Sequence, residues 1–169
     1  MKTILLHTCC GPCGFSATKF LNDKFDIKYY WYNPNIQPLT EYEKRLSTSK
    51  KIFSLIIDEY DNKQWLSAIK DVYHQKDKRC VECYRLRLMK TAQKSKEVKT
   101  NFFSTTLLIS PYQQHDILKK IGEDIARQVG VNFYYYDVRP DFYKNLKEFK
   151  KLGLYTQKYC GCAFSKNEK

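Results

Sequence analysis

Three thiol groups lie within five residues near the start of the chain, at Cys9, Cys10 and Cys13. They follow an apolar run at residues 4–6, and Gly11-Pro12 between them opens a helix-like segment. This pattern predicts a strand, a tight turn and a helix, with the thiols at the carboxyl end of the strand. Ligands bind at that edge of open α/β sheets, and a helix N-terminus there stabilises thiolate. Four more cysteines in two tight groups favour a chemical site over three core cysteines.

Strand-like and helix-like segments alternate along the chain. Apolar and aromatic runs predict strands at residues 4–6, 27–32, 55–58, 101–106 and 132–137. Helices are predicted near residues 12–21, 40–53, 62–73, 84–96 and 113–129, followed by a basic amphipathic segment at 141–152. A Thr40–Glu43 capping box is expected to open the second helix. The alternation predicts an α/β fold, namely a single three-layer, Rossmann-like (adenine-nucleotide-hydrolase-like) domain over residues 1–169, with a mainly parallel sheet of about five strands.

Common nucleotide-binding loops are missing from this pattern. No Gly-x-Gly-x-x-Gly follows the first strand, and no P-loop occurs in the sequence. A nucleotide-activating transferase of the adenine-nucleotide-hydrolase type is likewise disfavoured, because its Ser-Gly-Gly-x-Asp-like loop is absent.

The cysteine count indicates a reducing compartment. Seven cysteines would leave an odd thiol in a disulfide framework, and their clustering suits a shared metal or redox centre. No apolar run is long enough to span a membrane, and the N-terminus enters a strand without a leader-like segment. A soluble cytoplasmic protein without membrane partners is therefore expected.

A net charge of +12 indicates an acidic partner. Nucleic acid is the first candidate, since 14 tyrosines and 10 phenylalanines also offer rings that can stack on unpaired bases. Charge alone leaves simple solubility as an equal alternative.

The remaining cysteines form two further groups, Cys80-x-x-Cys83 and Cys160-Gly161-Cys162. The first spans about one helical turn at a helix start, so both sulfurs can address one centre, and adjacent Cys9 and Cys10 could complete a four-thiolate site. Structural zinc in an RNA-binding module would use those four thiols. An iron–sulfur cluster on those four thiols leaves a better use for Cys13, Cys160 and Cys162. Cys160 and Cys162 could shuttle two electrons by forming and breaking a strained, labile disulfide, or they could join Cys13 around one more metal ion.

The sequence closely resembles the QueH family, the epoxyqueuosine reductases that do not use cobalamin. The resemblance rests on five motifs in order between residues 4 and 165: HTCCGPC at 7–13, NPNI at 33–36 with Glu41, Tyr42 and Arg45, CVECYRLRL at 80–88, TTLLISPY at 105–112, and QKYCGCAFS at 157–165. Gly11 is a small departure, since alanine is expected there.

The resemblance implies that the protein reduces epoxyqueuosine to queuosine at the tRNA wobble position, the last step of queuosine biosynthesis. It implies a 4Fe-4S cluster on Cys9, Cys10, Cys80 and Cys83, and a redox-active pair formed by Cys160 and Cys162. An additional iron ion bound by some of Cys13, Cys160 and Cys162 is the open alternative. The partners are then tRNA and an electron donor, which the sequence does not identify, and it does not give the oligomeric state.

Further residues are candidates for substrate binding: Asn33, Asn35, Arg45, Arg85, Thr106 and Tyr112. Hydroxyl groups of the last two could hydrogen-bond the modified base. Arg85 and Arg87 could both pair with cluster sulfide or tRNA phosphate, or face solvent. The asparagines could instead cap a proline turn, and Arg45 could pair with Glu41 four residues earlier. His7 is interpreted as structural more than as a proton donor, while His74 and His115 are assigned to the surface.

Overall fold

Four parallel strands form the sheet in the computed structural model, which describes residues 1–168. They are β1 (Lys2–His7), β2 (Phe25–Trp31), β3 (Leu55–Ile57) and β4 (Phe102–Thr105), in the order β3-β2-β1-β4. Ile4, Leu5 and Leu6 of β1 are fully buried, as an apolar run in a central parallel strand requires. The last residue of β1, His7, pairs with Tyr30 of β2 and Thr105 of β4, so these three strands end close to one another.

Within residues 1–168, seven helices surround the sheet: α1 (Gly11–Leu21), α2 (Leu39–Lys50), α3 (Asn62–Ile69), α4 (Lys76–Glu97), α5 (His115–Val129), α6 (Phe142–Lys150) and α7 (Ala163–Asn167). Short 3₁₀ turns occupy Thr106–Ile109 and Arg139–Asp141. Helix α1 packs against α2 and α6, while α4 packs against α3, α5 and the sheet. Because parallel crossovers are right-handed, the reversal in strand order places these two groups on opposite faces. Within the described chain, no helix combines the length and apolar character needed to cross a bilayer.

The chain order reverses between the neighbouring strands β1 and β4. The connections after β1 and β2 step in one direction across the sheet, whereas β4 joins the other side of β1. Crevices for ligands form at the carboxyl ends of strands at such a reversal. The Cys9–Cys13 segment follows β1 directly and therefore lies at this position.

The prediction of about five strands is wrong, because residues 132–137 form one isolated parallel bridge in place of a fifth strand. Phe103 makes both backbone hydrogen bonds of the bridge, to Asn132 and Tyr134. Beyond it, side chains replace the ladder: the Ser104 hydroxyl donates to the Tyr134 carbonyl at 2.6 Å, and the Tyr136 hydroxyl donates to the Thr105 carbonyl at 3.1 Å. The segment is held at the sheet edge without continuing the pleat.

Two predicted helix starts also differ from the structure. Helix α2 begins at Leu39, because the Pro38 carbonyl accepts from the backbone N–H groups of Glu41 and Tyr42, so the Thr40 capping box does not form. Helix α4 begins at Lys76, before the cysteines. Buried Arg79 anchors this early turn by donating to the Tyr73 carbonyl at 2.7 Å. Cys80 and Cys83 therefore lie inside the helix.

Candidate metal centre

The first thiol group is compact and lies where α1 begins. The Sγ atoms of Cys9, Cys10 and Cys13 lie within 4.8 Å of one another, and those of Cys9 and Cys10 are 3.7 Å apart. Cys10 caps α1, its sulfur accepting from the backbone N–H of Cys13 at 3.4 Å. Three soft sulfur donors this close together could hold one metal ion.

The three thiols do not share the same tendency to ionise. Hydrogen bonds from Cys10 and Cys13 lower the pKa of Cys9 well below its ordinary value, and the Thr106 hydroxyl donates to its sulfur at 3.1 Å. Burial raises the pKa of Cys10, and hydrogen bonding to Cys10 and Cys9 raises that of Cys13. Cys9 is therefore the thiol of this group whose surroundings favour ionisation.

The second group comprises Cys80, Cys83, Cys160 and Cys162. Cys80 and Cys83 share one face of α4 at i, i+3 spacing, and Cys83 packs with Cys162 beside Trp65. Burial raises the pKa of Cys80 to about 12, and negative charge on Cys160 and Cys83 contributes to the shift. All of these thiols are free, and Cys160 is exposed. The C-terminal pair thus lies beside the α4 pair.

Arg87 connects the two groups electrostatically. Its side chain is 2% exposed, and its Nε has no hydrogen-bond partner among residues 1–168. Burial opposes its charge, but negative charge on Cys83, Cys160 and Cys9 outweighs that effect and raises the pKa of Arg87. A buried cation is costly unless anions compensate it. The charge of Arg87 therefore opposes the effect of burial, which raises the pKa of the Cys160 thiol.

Arg45 holds the C-terminal thiol segment in place. The side chain is 2% exposed, and its Nε donates to Glu41 at 2.8 Å. Its two terminal nitrogens donate to the carbonyls of Tyr159 and Cys160, each at 2.9 Å. Tyr155 adds a hydrogen bond to the Glu41 carboxylate at 2.7 Å. Glu41 and Arg45 of α2 thus anchor the segment that contains Tyr155, Tyr159 and Cys160.

Asn33 and Asn35 are buried near the same segment. The Asn33 amide donates to the Thr8 carbonyl at 2.9 Å, tying the loop after β2 to the end of β1. The Oδ1 atoms of both asparagines are buried and lack hydrogen-bond partners within residues 1–168. Neither side chain reaches the surface in this conformation.

The other substrate candidates occupy different environments. Thr106 contacts Cys9 twice, accepting from its backbone N–H at 3.0 Å as well as donating to its sulfur. Tyr112 is 74% exposed, and its hydroxyl lies 2.5 Å from that of Tyr143. Exposed Arg85 pairs with Glu82 at 2.7 Å on α4.

His7 has a structural role at the end of β1. Its ring nitrogens lie 2.9 Å from the Thr105 hydroxyl and 3.0 Å from the Tyr32 carbonyl. Burial, with the nearby positive charge of Arg87, lowers the pKa of His7 to about 4. The prediction that His115 lies at the surface is wrong, because the residue is buried and its ring hydrogen-bonds the Leu108 carbonyl at 2.8 Å.

Two glutamines that touch thiols were absent from the predicted site. Gln157 Nε2 lies 2.8 Å from Cys10 Sγ, and Gln113 Nε2 lies 3.5 Å from Cys160 Sγ. Gln157 begins the motif at 157–165, and Gln113 directly follows the motif at 105–112. An uncharged amide side chain, however, does not by itself indicate a chemical role. Arg87 had a readable signal, since it follows Cys83 by four residues on one helix face.

The fold and site define an α/β protein whose sulfur-rich centre lies where the strand order reverses. Such a centre suits metal binding or redox chemistry. The chain belongs to the family described as epoxyqueuosine reductase QueH, whose profile matches residues 4–168.

Three relatives that match nearly the whole of this chain carry that description. The epoxyqueuosine reductase QueH of Thermotoga maritima is 37% identical, over 98% of this chain and 91% of the relative. That of Dehalococcoides mccartyi is 35% identical, over 98% and 93%. The Haemophilus influenzae relative is 30% identical, over 96% of this chain and 71% of its own length.

Proposed function

We propose that this protein reduces epoxyqueuosine to queuosine at the wobble position of tRNA, the last step of queuosine biosynthesis. Membership of the QueH family over nearly the whole chain is the observation that carries the proposal. The reaction breaks both carbon–oxygen bonds of the epoxide and forms a carbon–carbon double bond. It consumes two electrons and two protons and releases the oxygen as water.

The cysteines suit an iron–sulfur cofactor. A 4Fe-4S cluster takes four thiolates, which we assign to Cys9, Cys10, Cys80 and Cys83. Buried Arg87 supports this assignment, because its guanidinium, four residues after Cys83 on α4, would balance the negative charge of a cluster bound there. When bound, such a cluster supplies and relays electrons.

The free thiols offer a second arrangement that uses the same residues. Cys13 lies with Cys9 and Cys10, whereas Cys160 and Cys162 lie with Cys80 and Cys83. An additional iron ion held by some of Cys13, Cys160 and Cys162 is one role for them. A redox-active Cys160–Cys162 pair is the other: its dithiol form would deliver the two electrons that the reaction requires and become a disulfide, which the electron donor would reduce again.

Several side chains would prepare this site for its substrate. Thr106 orients Cys9, and Gln157 reaches Cys10 from the C-terminal segment. Among the six substrate candidates, Arg85 and Tyr112 are exposed and can meet tRNA directly. Asn33, Asn35, Arg45 and Thr106 are buried, so they would act on the substrate from beneath it or after a local movement.

The setting of the reaction follows from the substrate. We assign the protein to the cytoplasm, with tRNA and an electron donor as partners, and residues 1–169 to one catalytic domain. The strand order β3-β2-β1-β4 supports a Rossmann-like class for that domain.

The test is conversion of tRNA that carries epoxyqueuosine. Anaerobically purified protein with its native metal is mixed with this tRNA and a chemical reductant, and the digested nucleosides are separated by mass. We expect loss of one oxygen from the modified nucleoside. Cys83→Ser should lose iron and activity, whereas Cys162→Ala should keep the fold and much of the iron yet stop turnover. An intact epoxide after incubation with fully iron-loaded wild-type protein would contradict the proposal.

A further inference from the structure

Three aromatic side chains form an exposed cluster beside the thiols, which we call the aromatic rim: Tyr112, Phe142 and Tyr143. The Phe142 ring packs edge-on against the other two, with centroid distances of 6.1 Å to Tyr112 and 5.1 Å to Tyr143. Tyr112 and Tyr143 are 74% and 63% exposed. Large aromatic side chains grouped on a surface mark interaction sites more often than single exposed residues do.

The rim adjoins the reactive edge of the sheet. Tyr112 precedes Gln113, whose amide lies 3.5 Å from the sulfur of Cys160, an exposed residue. The Gln113 side chain is itself fixed by the Tyr84 hydroxyl at 2.7 Å. Tyr112 therefore lies one residue from a side chain that contacts Cys160.

The hydroxyl groups of Tyr112 and Tyr143 already form a hydrogen bond with each other. The hydroxyl oxygens of Tyr112 and Tyr143 are 2.5 Å apart, which joins the loop before α5 to the first turn of α6. The Tyr112 hydroxyl was expected to hydrogen-bond the modified base, but it already has Tyr143 as a partner. The ring faces are what the pair leaves open to a ligand.

Lysines lie on the helix that carries Phe142 and Tyr143. Helix α6 carries Lys144, Lys147 and Lys150, and its one acidic residue, Glu148, is paired with Lys19. Lys147 lies one turn after Tyr143, on the same helix face. Rings flanked by free lysines suit a strand of unpaired nucleotides, since the bases stack and the phosphates meet the cations.

We propose that the aromatic rim stacks unpaired anticodon-loop bases that flank the modified nucleoside, and so guides that nucleoside to the thiol edge. This inference rests on the proposed function and assigns its substrate a binding surface. RNA is favoured over a protein electron donor because the substrate's reacting carbon atoms must reach the thiol edge, whereas electrons can enter from another face. Stacking on the rim would also hold the loop open, which lowers the cost of extruding one base.

The test measures binding of epoxyqueuosine tRNA by fluorescence anisotropy at fixed salt, using the metal-loaded protein. Tyr112→Leu and Tyr143→Leu should each weaken binding about 5- to 150-fold, the range for losing one stacked base. Tyr143→Phe keeps the ring and should stay within about 3-fold of wild type. Tyr73→Leu, at another exposed tyrosine, is the matched control and should bind normally.

Two further measurements separate stacking from charge. Neither leucine variant should change affinity for a fully paired RNA duplex, which offers no free base faces. Their salt dependence should match wild type, whereas Lys147→Gln should lower the salt slope by about one phosphate contact. Thermal unfolding of every variant checks that the fold is retained.

The outcomes distinguish this proposal from the proposed function. If wild-type protein reduces the tRNA and both leucine variants bind it normally, the aromatic rim does not bind RNA and the proposal is wrong. If the variants bind tRNA normally but are slow only with a protein reductant, the rim is a donor-docking surface and the proposal is again wrong. If wild type binds the tRNA through the rim without reducing it, the proposed function fails while the rim assignment stands.

Discussion

Replacing Arg45 with methionine tests the buried ion pair that holds the Cys160 segment. The substitution keeps an unbranched side chain of similar length but removes the guanidinium. Glu41 then loses its partner at 2.8 Å, and two carbonyls lose donors at 2.9 Å. The side chains of the pair are only 2% and 9% exposed, so water cannot replace the lost ion pair without local opening.

The expected loss is about 4 kcal/mol of folding free energy. Breaking a buried ion pair by removing one partner costs about 3–5 kcal/mol, against about 0–1 kcal/mol for an exposed pair. The carbonyls belong to a partly exposed segment that water can reach, so they add little. For a chain of this length, about 4 kcal/mol corresponds to a fall in Tm of about 8–16 °C.

The assay is thermal unfolding of anaerobic protein with matched metal content. Lys50→Met is the control, because Lys50 is an exposed residue of the same helix and its loss should cost under about 0.5 kcal/mol. Arg45→Lys keeps the charge without the planar fork and should fall between the two. A loss below about 1 kcal/mol for Arg45→Met would refute the claim that this pair anchors the segment.

Three further predictions concern the same region. Burial opposes the ionisation of Glu41, but hydrogen bonds from Tyr155 and Arg45 outweigh burial and lower the pKa of Glu41 from 4.5. The ionised carboxylate should therefore stabilise the fold fully above about pH 4.5, and less as the pH falls further. In urea titrations, the free energy of unfolding of Glu41→Gln should fall less steeply with acid than that of the wild type. Gly161 has φ of +143°, and a Cβ there would lie 3.1 Å from the Asn35 amide; Gly161→Ala should cost about 1–3 kcal/mol by chemical denaturation and more than Gly153→Ala, whose Cβ meets open space. Arg87→Met should lower iron retention on gel filtration, because it removes the buried cation that would balance the charge of the thiol-bound centre; unchanged iron would disprove the charge-balancing role.

The central strands and the cysteine edge were predictable because their signals are local. The apolar run in β1 and the turn at Gly11-Pro12 place Cys9 and Cys10 after a strand whatever the remaining chain does. The α/β class with a parallel sheet followed from the alternation of elements. The Glu41–Arg45 pair also followed from helical spacing, and the structure confirms it.

The grouping of the thiols could not be predicted, because it depends on tertiary structure. Sequence spacing brings Cys80 and Cys83 together but does not show that Cys162 packs beside them against Trp65. The burial of Arg45 depends on a partner segment more than 110 residues away in sequence. The failed fifth strand has the same origin, since Ser104 and Tyr136 side chains compete for the carbonyls at that edge.

The central claim is that these cysteines form an iron–sulfur redox centre, and metal analysis tests it most directly. Protein purified without oxygen, and without added metal, is assayed for iron, zinc and acid-labile sulfide. We predict about four sulfides and at least about four irons per chain, with both lost in Cys83→Ser. About one zinc per chain without sulfide would contradict the claim and indicate a closed structural site.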